Sequence, residues 1–276
     1  MDKNNVLSVL VADTEAICLV VIPCYNEARR LQPALFSEFL AEDNRVNFLF
    51  VNDGSSDGTL EVLTNLREQH PERIEVLDQQ PNRGKAEAVR CGMLHAMGRD
   101  HIRFTGYWDA DLATPLSVIP LLLCRLIEDG HREMVFGSRV RLLGHQIHRR
   151  SVRHYLGRCF ATAVSIVLNL PVYDTQCGAK LLRITPALKS ILAAPFQSRW
   201  IFDVEIIARY LAFHQDNLPS AVEAIYEHPL PRWEDVAGSK VQPTDFFVAF
   251  YELLQIRKAF RKATRSMRLS HRAYSA

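Results

Sequence analysis

The sequence predicts an α/β fold: a mostly parallel sheet flanked by helices, followed by an amphipathic helical extension. Three observations lead there. Short apolar runs alternate with longer amphipathic ones through the first half of the 276 residues, the order expected of strands joined by crossover helices. The first run, residues 17–22, is continuously apolar, as a strand buried on both faces must be. Polar loops follow the first, second and fourth runs, and ligands of such sheets bind beyond the carboxyl ends of the strands.

Taken in order, residues 17–22 form the first strand, which stops at Pro23, and residues 27–40 read as a helix. Residues 48–51 are a second strand, ending at Asn52-Asp53-Gly54. Ser56 or Asp57 is placed to cap a helix running through Leu66. Residues 74–77 are a third strand. The helix at 85–97 sets Ala86, Val89, Met93 and Ala96 on one side. Residues 102–105 form a fourth strand, 115–128 a helix and 134–136 a fifth strand. A basic, mostly helical stretch spans 139–170. A strand at 179–182, a helix through Leu192, a helix opened by residues 199–205 and a late strand at 221–227 follow. Residues 233–240 read as a loop, and the tail from Asp245 as one long helix. The division expected is an N-terminal extension (1–16), a catalytic domain (17–240) and a basic amphipathic tail (241–276).

About half the residues are hydrophobic and the formal net charge is only +2, so overall charge says little about partners. Its distribution says more. Residues 139–158 hold six arginines, three histidines and no acid, and residues 257–272 hold seven Lys/Arg and no acid. These are anion-seeking surfaces. His145, His148 and His154 have no metal-binding spacing and are expected at the surface. The six cysteines form no C-x-x-C pair, which fits free thiols in a reducing compartment. The start is a poor signal peptide, and the longest apolar helical candidate, 160–170, is about half a membrane span. The expected location is cytoplasmic, peripheral on the cytoplasmic membrane face.

Chemistry concentrates at Asp109-Ala110-Asp111, directly after the fourth strand. In an extended segment residues i and i+2 point the same way, so both carboxylates can meet one hard divalent cation, Mg2+ or Mn2+, suited to gripping a diphosphate. Alone, Asp-x-Asp is as a rule a solvated loop. Here the loops Pro23-Cys24-Tyr25-Asn26-Glu27 and Asn52-Asp53-Gly54-Ser55-Ser56-Asp57-Gly58 stand at the ends of adjacent strands. Asp53 there can accept a hydrogen bond from a base or a ribose. Gly84-Lys85 opens a helix and suits a phosphate, and the Arg139 guanidinium suits a phosphate fork. No G-x-G-x-x-G follows a strand and no G-x-x-x-x-G-K-[ST] exists, which disfavours dinucleotide oxidoreductases and P-loop NTPases.

These residues resemble family 2 glycosyltransferases of the GT-A (Rossmann-like) fold. Val20-Val21-Ile22-Pro23-Cys24-Tyr25-Asn26-Glu27, then Val51-Asn52-Asp53-Gly54-Ser55-Ser56-Asp57-Gly58-Thr59, then Asp109-Ala110-Asp111 carry the resemblance. Further motifs are similar to the dolichyl-phosphate β-glucosyltransferase branch, and many are shared with dolichol-phosphate mannose synthases. They are Asn82-Arg83-Gly84-Lys85, Gly137-Ser138-Arg139, Asp174-Thr175-Gln176-Cys177-Gly178-Ala179-Lys180, Arg199-Trp200-Ile201-Phe202-Asp203-Val204-Glu205 and Trp233-Glu234 with Gly238-Ser239-Lys240.

The resemblance implies an inverting, metal-dependent transfer of a hexose, first glucose from UDP-glucose, onto a polyprenyl phosphate. It implies that Pro23, Tyr25, Asn26, Glu27, Asp53, Gly54, Ser55, Lys85, Asp109 and Ala110 hold the nucleotide sugar and that Asp109 and Asp111 hold the metal. Arg139, Gln176, Cys177, Lys180 and Trp200 would meet the acceptor. Asp109, Asp111, Arg139 and Asp203 would carry catalysis, and Asp203 and Glu205 would lie near the sugar or cap their helix.

Three departures stand out. The glucosyltransferase branch usually has an N-terminal membrane helix, which this sequence does not show; Leu112 replaces a polar residue usual in mannose synthases; and Gln197-Ser198-Arg199-Trp200 is one residue short of the Q-x-x-R-W of processive synthases. GDP-mannose as donor, a soluble or protein-linked hydroxyl as acceptor with Asp203 or Glu205 as base, and a sugar-nucleotide-binding subunit without turnover are the alternatives. The expected partners are the donor, the lipid phosphate, and a membrane surface or membrane protein contacted by the tail (Phe246, Phe247, Phe250, Leu253, Leu254, Arg257, Lys258, Arg261, Lys262). Nucleic acid is not among them.

Overall fold

The computed structural model describes residues 16–148, 151–236 and 245–261, the side chains of 151–154 and 245–246 excepted. The N-terminal extension, Gly238-Ser239-Lys240, Lys262 and the side chains of His154 and Phe246 lie outside the described residues.

The strands β1 (Cys18–Cys24), β2 (Val46–Asp53), β3 (Ile74–Gln79), β4 (Phe104–Trp108), β5 (Met134–Ser138), β7 (Ala179–Arg183) and β8 (Ile225–Pro229) form one sheet in the order β3-β2-β1-β4-β7-β5-β8. Within it β7 alone runs antiparallel to its neighbours. A separate two-stranded sheet pairs β6 (Gln146–His148) with β9 (Arg232–Glu234).

Alternation along β1 builds two cores. Cys18, Val20 and Ile22 face helices α1 (Pro33–Glu42), α2 (Thr59–Gln69) and α4 (Ile119–Glu128), while Leu19 and Val21 face α3 (Lys85–Met97). On the first face Phe36 packs edge-on to Phe48 and Phe50 at 5.2 and 5.0 Å, pairs worth about 0.5–1.5 kcal/mol each beyond area burial. The second face also takes α5 (Ser151–Leu168), α6 (Pro186–Leu192), α7 (Phe202–Phe213), α8 (Leu218–Glu223) and α9 (Asp245–Ala259). Ala249, Leu253 and Ile256 of α9 are buried there, so the first part of the tail packs on the sheet's own core.

Several elements differ from the sequence expectation. The first helix begins at Pro33 rather than residue 27. Asn26 is left-handed (φ 52°), and the amides of Asn26, Glu27 and Ala28 donate to Ser55, Thr59 and Asp57 side chains, which fixes a turn where a helix was expected. The fourth strand lies later, at Phe104–Trp108. A 3-10 turn at Leu116–Val118 precedes α4. Among the described residues of the basic stretch only Ser151–Leu168 is helical, and part of the stretch supplies β6. Residues expected as the late strand begin with α8, because Pro219 starts a short helix before β8. Residues 233 and 234 were expected in a loop and belong to strand β9.

Candidate active site

The loops after β1, β2 and β4 meet at the carboxyl end of the parallel strands. The first two are fastened together: the Asn26 N–H donates to Ser55 Oγ at 3.0 Å, and Asn26 Oδ1 accepts the Ser56 N–H at 2.9 Å. Gly54 is left-handed (φ 65°), and a Cβ there would stand 2.4 Å from the Asn82 nitrogen. The β2 loop therefore presses directly on the turn that starts α3. Asp53 is buried beneath it, its two carboxylate oxygens accepting the Arg83 and Gly84 amides at 2.7 and 2.8 Å. Tyr25 is exposed at the rim.

Asp109 and Asp111 do not lie on an extended segment. β4 ends at Trp108, and a turn follows in which the Leu112 N–H donates to the Asp109 carbonyl at 3.2 Å, with Leu112 left-handed. The side-chain argument from strand alternation therefore does not apply, yet the turn still couples the two acids. Burial and then the neighbouring Asp109 charge raise the pKa of Asp111. Lys85 Nζ lies 2.5 Å from Asp109 Oδ1, and Arg30 Nη2 lies 3.3 Å from Asp111 Oδ2 and binds Glu27 through Nε at 3.1 Å. Burial pulls the Lys85 pKa down, but Asp109, Asp203 and Asp111 outweigh it and hold the ammonium above the usual lysine value.

Two acids coupled across one turn form a charge arrangement that a divalent cation relieves. Among the described residues no group of three or more His, Cys, Asp or Glu is arranged to hold a metal. The donor set fits a hard ion held by one or two carboxylates and completed by substrate phosphates and water.

β7 brings the remaining loop across. The Asp109 N–H donates to the Gly178 carbonyl at 2.9 Å. A Cβ on Gly178 would lie 1.9 Å from Asp109 Oδ2, so the missing side chain makes room for the carboxylate. The loop is held from its other end. Asp174 receives the Arg139 Nε and Nη2 at 2.6 and 2.7 Å and the Gln176 amide at 3.1 Å, and Glu227 accepts the Tyr173 and Asp174 amides. Arg139 is thus a half-buried partner of Asp174, 5.3 Å from the Trp233 ring.

Lys180 and Cys177 turn inward rather than toward an acceptor. Lys180 is fully buried, with its ammonium 2.8 Å from Asp203 Oδ1 and facing the Tyr107 and Phe136 rings. The Cys177 thiol is buried near Thr114 Oγ1 at 3.8 Å. Burial pushes Asp203 up to about 7 and pulls Lys180 down to about 8. Gln176 Nε2 approaches Asp203 at 3.4 Å. Glu205 is fully buried and accepts from Gln197, Ser198 and Arg209, so it braces the loop before α7 and is not available as a base. Trp200 is exposed, its amide held by Glu252 of α9.

Sequence reasoning missed Arg30, Glu227 and Glu252 as site supports. Arg30 was placed inside a helix, and the turn that aims it leaves no sequence signal. Glu227 and Glu252 act across more than fifty residues. The role of Asp174 was legible only as part of its motif.

A family profile described as glycosyl transferase family 2 matches residues 19–189. The chain is 35% identical over 239 residues to a dolichyl-phosphate β-glucosyltransferase of Drosophila melanogaster, covering 81% of this chain and 69% of that one. It is 31% identical over 260 residues to a dolichyl-phosphate β-glucosyltransferase of Trichomonas vaginalis, covering 90% and 73%. Among solved structures it resembles glucosyl-3-phosphoglycerate synthase of Mycobacterium tuberculosis in complex with Mn2+, UDP-glucose and phosphoglyceric acid. That match has TM-score 0.62 and 18% identity, covering 94% of this chain and 84% of that one.

Proposed function

Because the chain belongs to glycosyltransferase family 2 and has the GT-A fold, we propose that it transfers glucose from UDP-glucose to a polyprenyl phosphate of the dolichyl type, with inversion. The observation that carries this reading is the coupled pair Asp109 and Asp111, set beside Lys85 and facing the Asp174–Gly178 loop. The names of the relatives and the order of the shared motifs support glucose and the lipid phosphate.

A divalent cation on Asp109 and Asp111 would neutralise charge gathering on the departing nucleoside diphosphate. Lys85 is placed to take a share of that charge. Asp53 and Gly54 shape the nucleotide end, and each carboxylate oxygen of Asp53 keeps a second lone pair for a base or ribose donor. The acceptor phosphate carries about −1.5 to −2 charge and is itself the nucleophile. One of its oxygens bonds to the anomeric carbon as the bond from that carbon to UDP breaks, and no protein base is required. Arg139, fixed by Asp174, orders the loop that lines the acceptor side. Among the described residues no helix is long and apolar enough to cross a membrane.

The test offers radiolabelled UDP-glucose or GDP-mannose to polyprenyl phosphate with Mg2+ or Mn2+, scored by label extracted into organic solvent. Glucose label in the lipid is expected. Label from GDP-mannose alone would reassign the donor, and label passed only to soluble hydroxyl acceptors would remove the lipid.

A further inference from the structure

Helix α9 has two apolar faces. One is buried in the core and includes Leu253 and Ile256. On the other, Phe247, Tyr251 and Leu254 recur at helical spacing and are 79, 64 and 60% exposed. The neighbouring α5 repeats the arrangement. Phe160 and Val164 are buried, while Tyr155, Cys159, Thr162 and Ile166 form an exposed stripe without a charge, Ile166 being 63% exposed. The two helices are joined where Phe160 meets Phe250 edge-on at 5.7 Å. A surface helix ordinarily sets charged residues opposite its core face, and adjoining uncharged faces of this kind mark interaction sites.

Charge identifies the occupant. The α9 stripe runs on into exposed Arg257, Lys258 and Arg261. The one acid in residues 247–261 is Glu252, which is turned inward, and residues 151–168 contain none. Aromatic and aliphatic side chains flanked by exposed basic ones match the boundary of an anionic bilayer. Position agrees. Glu252 accepts the amides of Arg199, Trp200 and Ile201, and the Arg199 guanidinium reaches Gly84 beside Lys85. The inner side of α9 therefore supports a wall of the site while, among the described residues, its outer side is left exposed.

We propose that the outer faces of α5 and α9 form one docking surface for an anionic lipid bilayer. This rests on the lipid-phosphate reading above, since a bilayer held here keeps the prenyl chain in lipid while its phosphate enters beside Lys85.

The full chain is floated with phosphatidylcholine vesicles with and without phosphatidylglycerol. Phe247→Glu combined with Tyr251→Glu, and separately Ile166→Glu, are each expected to lower binding to anionic vesicles by about tenfold or more. Leu121→Glu, on exposed α4, should leave binding unchanged, and thermal melts check folding of all three. Turnover on a water-soluble short-chain prenyl phosphate should stay within about twofold of the parent. Parent-like flotation of both face variants overturns the proposal. So does a lipid-free dimer that these variants dissociate, which gives the face to a second copy. Vesicle binding lost in the variants, without transfer to any prenyl phosphate by the parent, upholds the surface and overturns only the acceptor.

Discussion

Gly178→Ala isolates the placement of the Asp109 carboxylate from its chemistry. The added methyl carbon would lie 1.9 Å from Oδ2 and 2.1 Å from Cγ of Asp109. The carboxylate must retreat by roughly 1 Å, because side-chain carbons do not approach within about 3 Å. It cannot take its backbone along, since the Asp109 N–H is tied to the Gly178 carbonyl at 2.9 Å. The turn stays and the side chain rotates away from its position beside Lys85. A misplacement of about 1 Å in a group that positions reactants costs on the order of 10²-fold in rate, equivalent to about 2.7 kcal/mol of transition-state stabilisation. Stability should move little. Gly178 is not among the left-handed glycines (Gly54, Gly84 and Gly144), so alanine adds no backbone strain. The displaced Lys85–Asp109 pair is half exposed, where ion pairs are worth about 0–1 kcal/mol. The assay is glucose transfer to polyprenyl phosphate across a Mn2+ titration, with a melt of the same sample. The expected result is kcat/KM down by about two orders of magnitude, a raised Mn2+ half-saturation and a melting temperature within about 3 °C of the parent. Parent-like kcat/KM and metal dependence would refute the idea that this carboxylate's position governs the reaction.

Asp109→Asn with Asp111→Asn should cut metal-dependent transfer by on the order of 10³-fold, and parent-like rates in that double variant end the diphosphate role. In Lys180→Met the buried Asp203 loses the ammonium that lies 2.8 Å from its Oδ1, so its pKa rises. If the Asp203 charge supports turnover, the acid limb of kcat shifts to higher pH by about one unit or more, and an unmoved limb removes Asp203 from the reaction. Glu252→Ala strips three amides of their acceptor, a loss on the order of 3 kcal/mol and about 6–12 °C in melting temperature; an unchanged melt would show that this carboxylate does not hold the 199–201 turn.

The sheet was legible because β1, β2 and β5 are buried on both faces, and double burial demands continuous apolar runs. The loops at their ends were legible because strand ends are where such folds place chemistry. The β6–β9 pair was not, since each strand is three residues long and finds its partner more than eighty residues away. Lys180 illustrates a subtler limit. The run from Ala179 to Leu182 announces a strand but not its direction. With β7 antiparallel between β4 and β5, Lys180 stands across from Tyr107 and Phe136, and its ammonium is confined between their rings. A motif lysine expected at an acceptor phosphate is instead the counter-charge of a buried aspartate.

The charges around the site give an independent reason for a metal. Lys180 and Asp203 are matched with each other, and Lys85 and Arg30 face Asp109, Asp111 and Glu27, which leaves one negative charge over. Arg139 cannot cover it, being matched by Asp174 in a part-buried bidentate pair. An arriving diphosphate therefore meets Lys85 and Arg30 already paired with the two acids, and the local low dielectric makes uncompensated charge costly. A divalent ion held by Asp109 and Asp111 would reverse the balance and leave Lys85 free to meet the phosphates. Monovalent salt screens exposed charge but does not bridge a carboxylate to a phosphate. Transfer should therefore stop in excess chelator at any concentration of KCl and return when Mg2+ or Mn2+ is restored. Turnover sustained by KCl alone would show that the protein's own cations suffice and that this balance of charge is misread.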